Sequence, residues 1–114
     1  MTKLTYLLAK TEPLKSDYGM RDQIQRAAVS VLSNIAEGFE RANKQEKLQF
    51  FNIARASCGE VRSLTYVCED VALLDSKSAQ SLRERTVATG RLISGLLRSL
   101  RNSDVAGKQP TPNS

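Results

Sequence analysis

Two glutamates, Glu37 and Glu60, are the carboxylates best placed to do chemistry in this chain. Paired carboxylates can act as general acid and base, or hold a metal between helices. Glu60 falls inside an apolar arc at helical spacing, so burial is expected. A buried carboxylate needs a cation or hydrogen-bond donors beside it, and Gln23, Arg26, Asn34 and Ser57 supply them. A two-metal site in a helical bundle would need more carboxylates and Glu-x-x-His pairs, and the chain has no histidine. The same lack removes the base that would activate Cys58 or Cys68 as a nucleophile. There is no phosphate-cradling glycine loop and no zinc-ligand spacing. The residues favour a structural polar network of Gln23, Arg26, Asn34, Glu37, Ser57 and Glu60. They favour no catalytic group, no metal and no cofactor, and so a protein that is not an enzyme.

The second constellation is basic. At helical periodicity Arg83, Arg91, Arg98 and Arg101 fall within about 80° of one another, opposite a leucine stripe, and Glu84 at the edge is the only acid nearby. Four guanidiniums on one strip can hold several phosphates of RNA or DNA. The competing reading is a solvated helix face whose arginines complement the C-terminal dipole. The strip brings no aromatic residue for base stacking, and on the residues alone the solvated face is the better reading.

These groups need elements to position them. A chain of 114 residues with 40% hydrophobic and 25% charged residues makes one globular domain. The formal charge of +5 suits a polyanionic partner without requiring one. No proline occurs between Leu14 and Asn102, which favours long uninterrupted helices. The apolar runs are too short to span a membrane, no secretory signal is present, and a cytoplasmic location is expected. Cys58 and Cys68 on one helix would stand about 15 Å apart, too far for a disulfide, and read as reduced core residues.

The spacing predicts a short first helix over Thr2 to Lys10, with Leu4, Leu7 and Leu8 inward. A turn follows, with Ser16 or Asp17 as cap to a second helix from about Met20 to about Arg41. Ile24, Ala28, Val31 and Ile35 are its core stripe, flanked by Ala27 and Leu32. Gln23, Arg26, Ser30, Asn34, Glu37 and Arg41 form a separate polar stripe. Asn43 with Glu46 is a capping-box-like start for a third helix reaching Leu74. That helix carries two adjacent seams: Phe51, Ala54, Cys58, Val61, Thr65, Cys68, Ala72, and Phe50, Ile53, Ser57, Glu60, Leu64, Val67, Val71, Leu74. Two seams mean two neighbours. Arg55, Arg62 and Glu69 lie opposite them. A fourth helix covers about Ala79 to Arg101, with Leu82, Ile93, Leu96, Leu97 and Leu100 inward. The expected architecture is all-α, an antiparallel up-and-down four-helix bundle over residues 1–102, with a disordered tail over 103–114.

Two blocks of the chain resemble a known family. Gln23, Arg26, Ala27, Ser30, Asn34, Ile35, Ala36, Glu37 and Gly38 match Q-x-x-R-A-x-x-S-x-x-x-N-I-A-E-G. Phe50, Ile53, Ala54, Ser57 and Glu60 match F-x-x-I-A-x-x-S-x-x-E. This is similar to the bacterial four-helix-bundle proteins encoded in intervening sequences of 23S ribosomal RNA genes. The resemblance implies an up-and-down bundle assembled as a homopentamer. It also implies kinship with the accessory variability protein of diversity-generating retroelements, which associates with nucleic acid and a reverse transcriptase. It gives phosphate binding by the arginine strip equal weight with the solvated face. The expectation is therefore a pentameric protein binding RNA or DNA with low sequence specificity. A scaffold for a reverse transcriptase or another protein is the alternative. The first helix is shorter than the family's, which should leave apolar surface on its neighbours uncovered.

Overall fold

The computed structural model describes the backbone of residues 1–108 and the side chains through Ser103. Four α-helices follow one another: α1 (Thr2–Ala9), α2 (Tyr18–Glu40), α3 (Lys44–Asp70) and α4 (Ser76–Lys108), with a 3-10 turn at Leu14–Ser16 between the first two. Helix α3 is central, packing along α2 on one side and α4 on the other, while α1 rests on α2 and touches α4. The all-α bundle with a short first helix is thus present. Helix α4 continues to Lys108, past the boundary expected at Asn102. The rest of the expected tail, 109–114, lies outside the described residues.

Local chemistry sets the helix starts. The Asp17 side chain accepts from the Met20 amide at 3.1 Å, and Asn43 accepts from the Glu46 amide at 3.1 Å. Before α4 the Asp75 carboxylate accepts from the Ser78 amide at 2.7 Å. That bond holds the Asp75 carboxyl below its ordinary range. Each such bond satisfies a donor that the first helical turn leaves unpaired.

The end of α3 is set by backbone geometry. Helix α3 stops at Asp70 rather than Leu74, because Ala72 adopts a left-handed conformation with φ 63°. The Leu73 and Leu74 amides then both donate back to the Cys68 carbonyl, at 2.7 and 3.1 Å. This helix end favours glycine, because a Cβ crowds the backbone at positive φ. Ala72→Gly should therefore raise stability by up to about 1 kcal/mol, part of the relief being offset by the entropy of the unfolded glycine. Chemical denaturation would register it as a higher midpoint at unchanged slope.

The core has two halves. Leu14, Ile24, Ala27, Ala28, Val61, Leu64, Cys68, Leu74, Ala79 and Leu82 fill one end. Val31, Phe51, Ala54, Cys58, Ile93 and Leu97 fill the other. Both cysteines are free and buried. Burial pushes the Cys68 thiol up to about 11, with Asp17 adding to the effect, and raises the Cys58 thiol as well. At neutral pH both are inert thiols.

Helix α1 reaches only part of the way along its seat between α2 and α4. Thr2 at its start donates to the Ala28 carbonyl at 3.4 Å. Beyond that level Leu32 is 54% exposed, Phe39 58% and Leu92 73%. Leu32 therefore does not join the core. Leu7 also points outward, while Thr5 and Ala9 take the buried face of α1.

Candidate nucleic-acid interface

Antiparallel packing of α3 against α4 decides which arginines meet. Cys58 donates its thiol proton to the Thr86 carbonyl at 3.1 Å. A Cβ added at Gly90 would lie 3.9 Å from the same sulfur. Residue 58 of α3 is thereby level with residues 86 to 90 of α4. From that register Arg55 on α3 stands level with Arg91 on α4, with Arg62 one heptad along α3 toward one end and Arg98 one heptad along α4 toward the other.

The four arginines line one open groove of about 520 Å³, together with Cys58, Gly59, Thr86, Val87, Gly90 and Ser94. The arginines form its walls and small side chains its floor. At Gly59 there is open space where a Cβ would stand. One heptad separates the arginines on each helix, or about 10.5 Å. Within the groove no acidic side chain takes part in the lining. Four guanidiniums in a water-exposed trough repel one another modestly and offer several charge-assisted donors to phosphate oxygens.

The expected strip of Arg83, Arg91, Arg98 and Arg101 is thus divided. Arg91 and Arg98 are exposed and share the groove. Arg101 is exposed beyond the groove's lining. Arg83 turns toward α3, where its Nη2 donates to Glu69 at 2.6 Å and its Nε to Thr65 Oγ1 at 3.1 Å. Its guanidinium lies 3.7 Å from the centre of the Tyr66 ring. The bond from Arg83 holds the Glu69 carboxyl below its ordinary range. Arg55 and Arg62 carry the signal that periodicity alone did not attach to the α4 strip.

The polar group centred on Glu37 and Glu60 is arranged differently from the expected network. Ser30 and Ser57 hydroxyls meet at 2.8 Å, and the Asn34 amide donates to the Ser30 carbonyl and hydroxyl at 2.8 and 3.0 Å. Asn34 and Ser57 are therefore joined, through Ser30. Gln23, Arg26, Glu37 and Glu60 are exposed, and Glu37 pairs with Arg41 one turn on. Among the described residues no hydrogen bond or ion pair joins Glu60 to Arg26, Asn34 or Ser57. The reason is that the second seam of α3 is only half covered: Ile53, Val67 and Val71 are exposed on it, at 42%, 42% and 56%. Glu60 belongs to that open half. Among the described residues no cluster of histidine, cysteine and carboxylate side chains could hold a metal, and no helix is long and apolar enough to cross a membrane.

No curated protein sequence matches the chain. Among solved structures it resembles a protein of unknown function from the S23 ribosomal protein family of Bacteroides thetaiotaomicron. That match has a TM-score of 0.73 at 17% identity, covering 83% of this chain and 85% of that one. At that identity the likeness shows the fold. A family model, that of the 23S rRNA-intervening sequence proteins, matches residues 1–95. With that match spanning most of the bundle, the chain belongs to the 23S rRNA-intervening sequence protein family.

Proposed function

We propose that this chain is a non-enzymatic, cytoplasmic, self-associating bundle protein that binds RNA or DNA with low sequence specificity through the α3–α4 groove. The observation that carries this reading is the convergence of Arg55, Arg62, Arg91 and Arg98 on one trough with a small-residue floor. Arginines from two helices, aimed at the same space and lacking a carboxylate in the lining, suit a chain of phosphates better than a solvated face would. Contacts to phosphate position a strand without reading its sequence, hence the low specificity.

Self-association is supported by the open half of the α3 seam and the exposed polar residues Gln23, Arg26, Glu37 and Glu60 beside it. A polar stripe next to uncovered Ile53, Val67 and Val71 is the composition of an interface between copies. In a homopentamer the arginine groove is repeated five times around the ring, so weak single contacts add up on one long strand.

The scaffold reading also has an observation in its favour. Leu32 and Phe39 on α2 and Leu92 on α4 are large apolar side chains left exposed, the kind of surface a protein partner such as a reverse transcriptase would cover.

One experiment addresses both parts of the proposal: light scattering at tens of micromolar, alone and with an added oligonucleotide of RNA. The expected result is a mass near five times the 12.6 kDa of one chain, rising when the RNA is added. A single-chain mass would reject self-association. A mass unaffected by RNA would leave the scaffold reading in place of nucleic-acid binding.

A further inference from the structure

The arginine groove does not end at Arg62. It runs into a second open groove of about 490 Å³, lined by Arg62, Tyr66, Gln80, Arg83, Glu84, Val87, Ala88 and Arg91. Arg62, Val87 and Arg91 line both, so the two form one continuous trough along α3 and α4. From the level of Arg98 to that of Arg83 it spans about 22 Å of helix.

Its second half differs in chemistry from the first. Arg83 is already committed to Glu69 and Thr65, and its side chain is only 16% exposed. Its charge is spent within the protein, but its plane is fixed over the Tyr66 ring. Tyr66 itself is 50% exposed. A guanidinium fixed over one face of the ring holds it in place, and the ring stays half exposed where it lines the trough. Such a preorganised flat layer is what a nucleobase stacks on. Beside it Gln80 and Glu84 offer amide and carboxylate groups to a base edge, and Val87 and Ala88 give an apolar floor.

A duplex cannot use this end, because its bases are stacked inside the helix and only its phosphate ridge reaches a trough between two α-helices. A single strand can use both halves. We propose that the trough binds single-stranded nucleic acid in preference to duplex, with one base stacked on Tyr66 and the adjoining phosphates held by Arg62, Arg91, Arg55 and Arg98. This rests on the phosphate-binding reading of the arginine half and adds the base platform. Neither half reads the sugar, so single-stranded RNA and DNA bind alike.

The test uses fluorescence anisotropy with three probes of about twelve nucleotides: a single strand, the same sequence as a blunt duplex, and an abasic strand with the same phosphates. The unmodified protein should bind the single strand about five- to a hundredfold more tightly than the abasic strand, the value of one base stack, and more tightly than the duplex. Tyr66→Ala should lose about that factor on the single strand and none on the duplex or the abasic strand. Tyr66→Phe, which keeps the ring, should retain binding. If the three probes bind the unmodified protein equally, the base platform is wrong, whatever Tyr66→Ala does to folding. If in that case Arg91→Glu with Arg98→Glu still abolishes binding of all three, the phosphate reading survives alone. If the unmodified protein binds none of them at about 50 mM salt, both fall together.

Discussion

Arg91→Glu combined with Arg98→Glu should abolish the binding of RNA and DNA and leave folding unchanged. Both arginines are exposed, and surface substitutions of this kind change stability by about 0.5 kcal/mol or less. Binding responds for two reasons. Two phosphate contacts disappear, each lowering the salt slope by about 0.7 on a single strand or 0.9 on a duplex. The new carboxylate at position 91 also stands level with Arg55 across the trough and offsets its charge. The combined loss should exceed about a hundredfold at moderate salt. Gly59→Leu separates a true groove from diffuse positive charge. It alters no charge, meets open space, and replaces a helix-interior glycine with a good helix former, gaining about 0.5–1 kcal/mol. Its side chain occupies the groove floor, so it should weaken binding while the protein melts at a higher temperature. If the double variant binds as well as the parent, the arginines are a solvated face.

The second large effect concerns Gly38 and Phe51, the contact that closes the far end of the bundle. A Cβ at Gly38 would stand 2.5 Å from Phe51 Cε1 and 2.8 Å from its Cδ1. The Phe51 ring is 1% exposed, and Phe39 lies edge-on to it with ring centres 5.1 Å apart. It has no room to retreat. Gly38→Ala should therefore lower stability by about 1–2 kcal/mol, the overpacking outweighing the helix propensity of alanine. Phe51→Ala should cost about 3–5 kcal/mol, a fall in Tm of more than about 10 °C for a domain of this size. The two together should not add. With the ring gone, Gly38→Ala meets a cavity and should become stabilising by about 1 kcal/mol. A double-mutant cycle by chemical denaturation reads this reversal of sign. Additive costs would mean that Gly38 and Phe51 do not touch.

Much of this architecture is legible in the sequence. Asp17 and Asn43 cap α2 and α3 where their residue types placed them, and Ile24, Val31, Val61, Ile93 and Leu97 are buried on the stripes their spacing defined. What periodicity could not supply was which faces meet. Arg55 and Arg62 were visible as one exposed row and Arg91 and Arg98 as another, but only the register of Cys58 against Thr86 and Gly90 brings the rows to one groove. The same limit explains Tyr66, an aromatic on α3 that comes to lie beside a basic helix it does not belong to. Glu60 shows the converse. Helical spacing placed it within an apolar arc, but a helix in a four-helix bundle buries only the sectors that face neighbours, and the sector of Ile53, Glu60 and Val67 is open in the single chain. Arg83 shows a third limit. Its Cα lies on the expected strip, but a long side chain can fold back to a partner on the next helix, here Glu69.

The most direct measurement of the central claim is the affinity of the unmodified protein for a short single-stranded oligonucleotide as a function of salt. Arg55, Arg62, Arg91 and Arg98 together should give a slope of log K against log salt of about −3 per binding groove, at about 0.7 released counterions per contact. A slope near zero, or no saturable binding at about 50 mM salt, would contradict the assignment of the α3–α4 groove as a nucleic-acid interface.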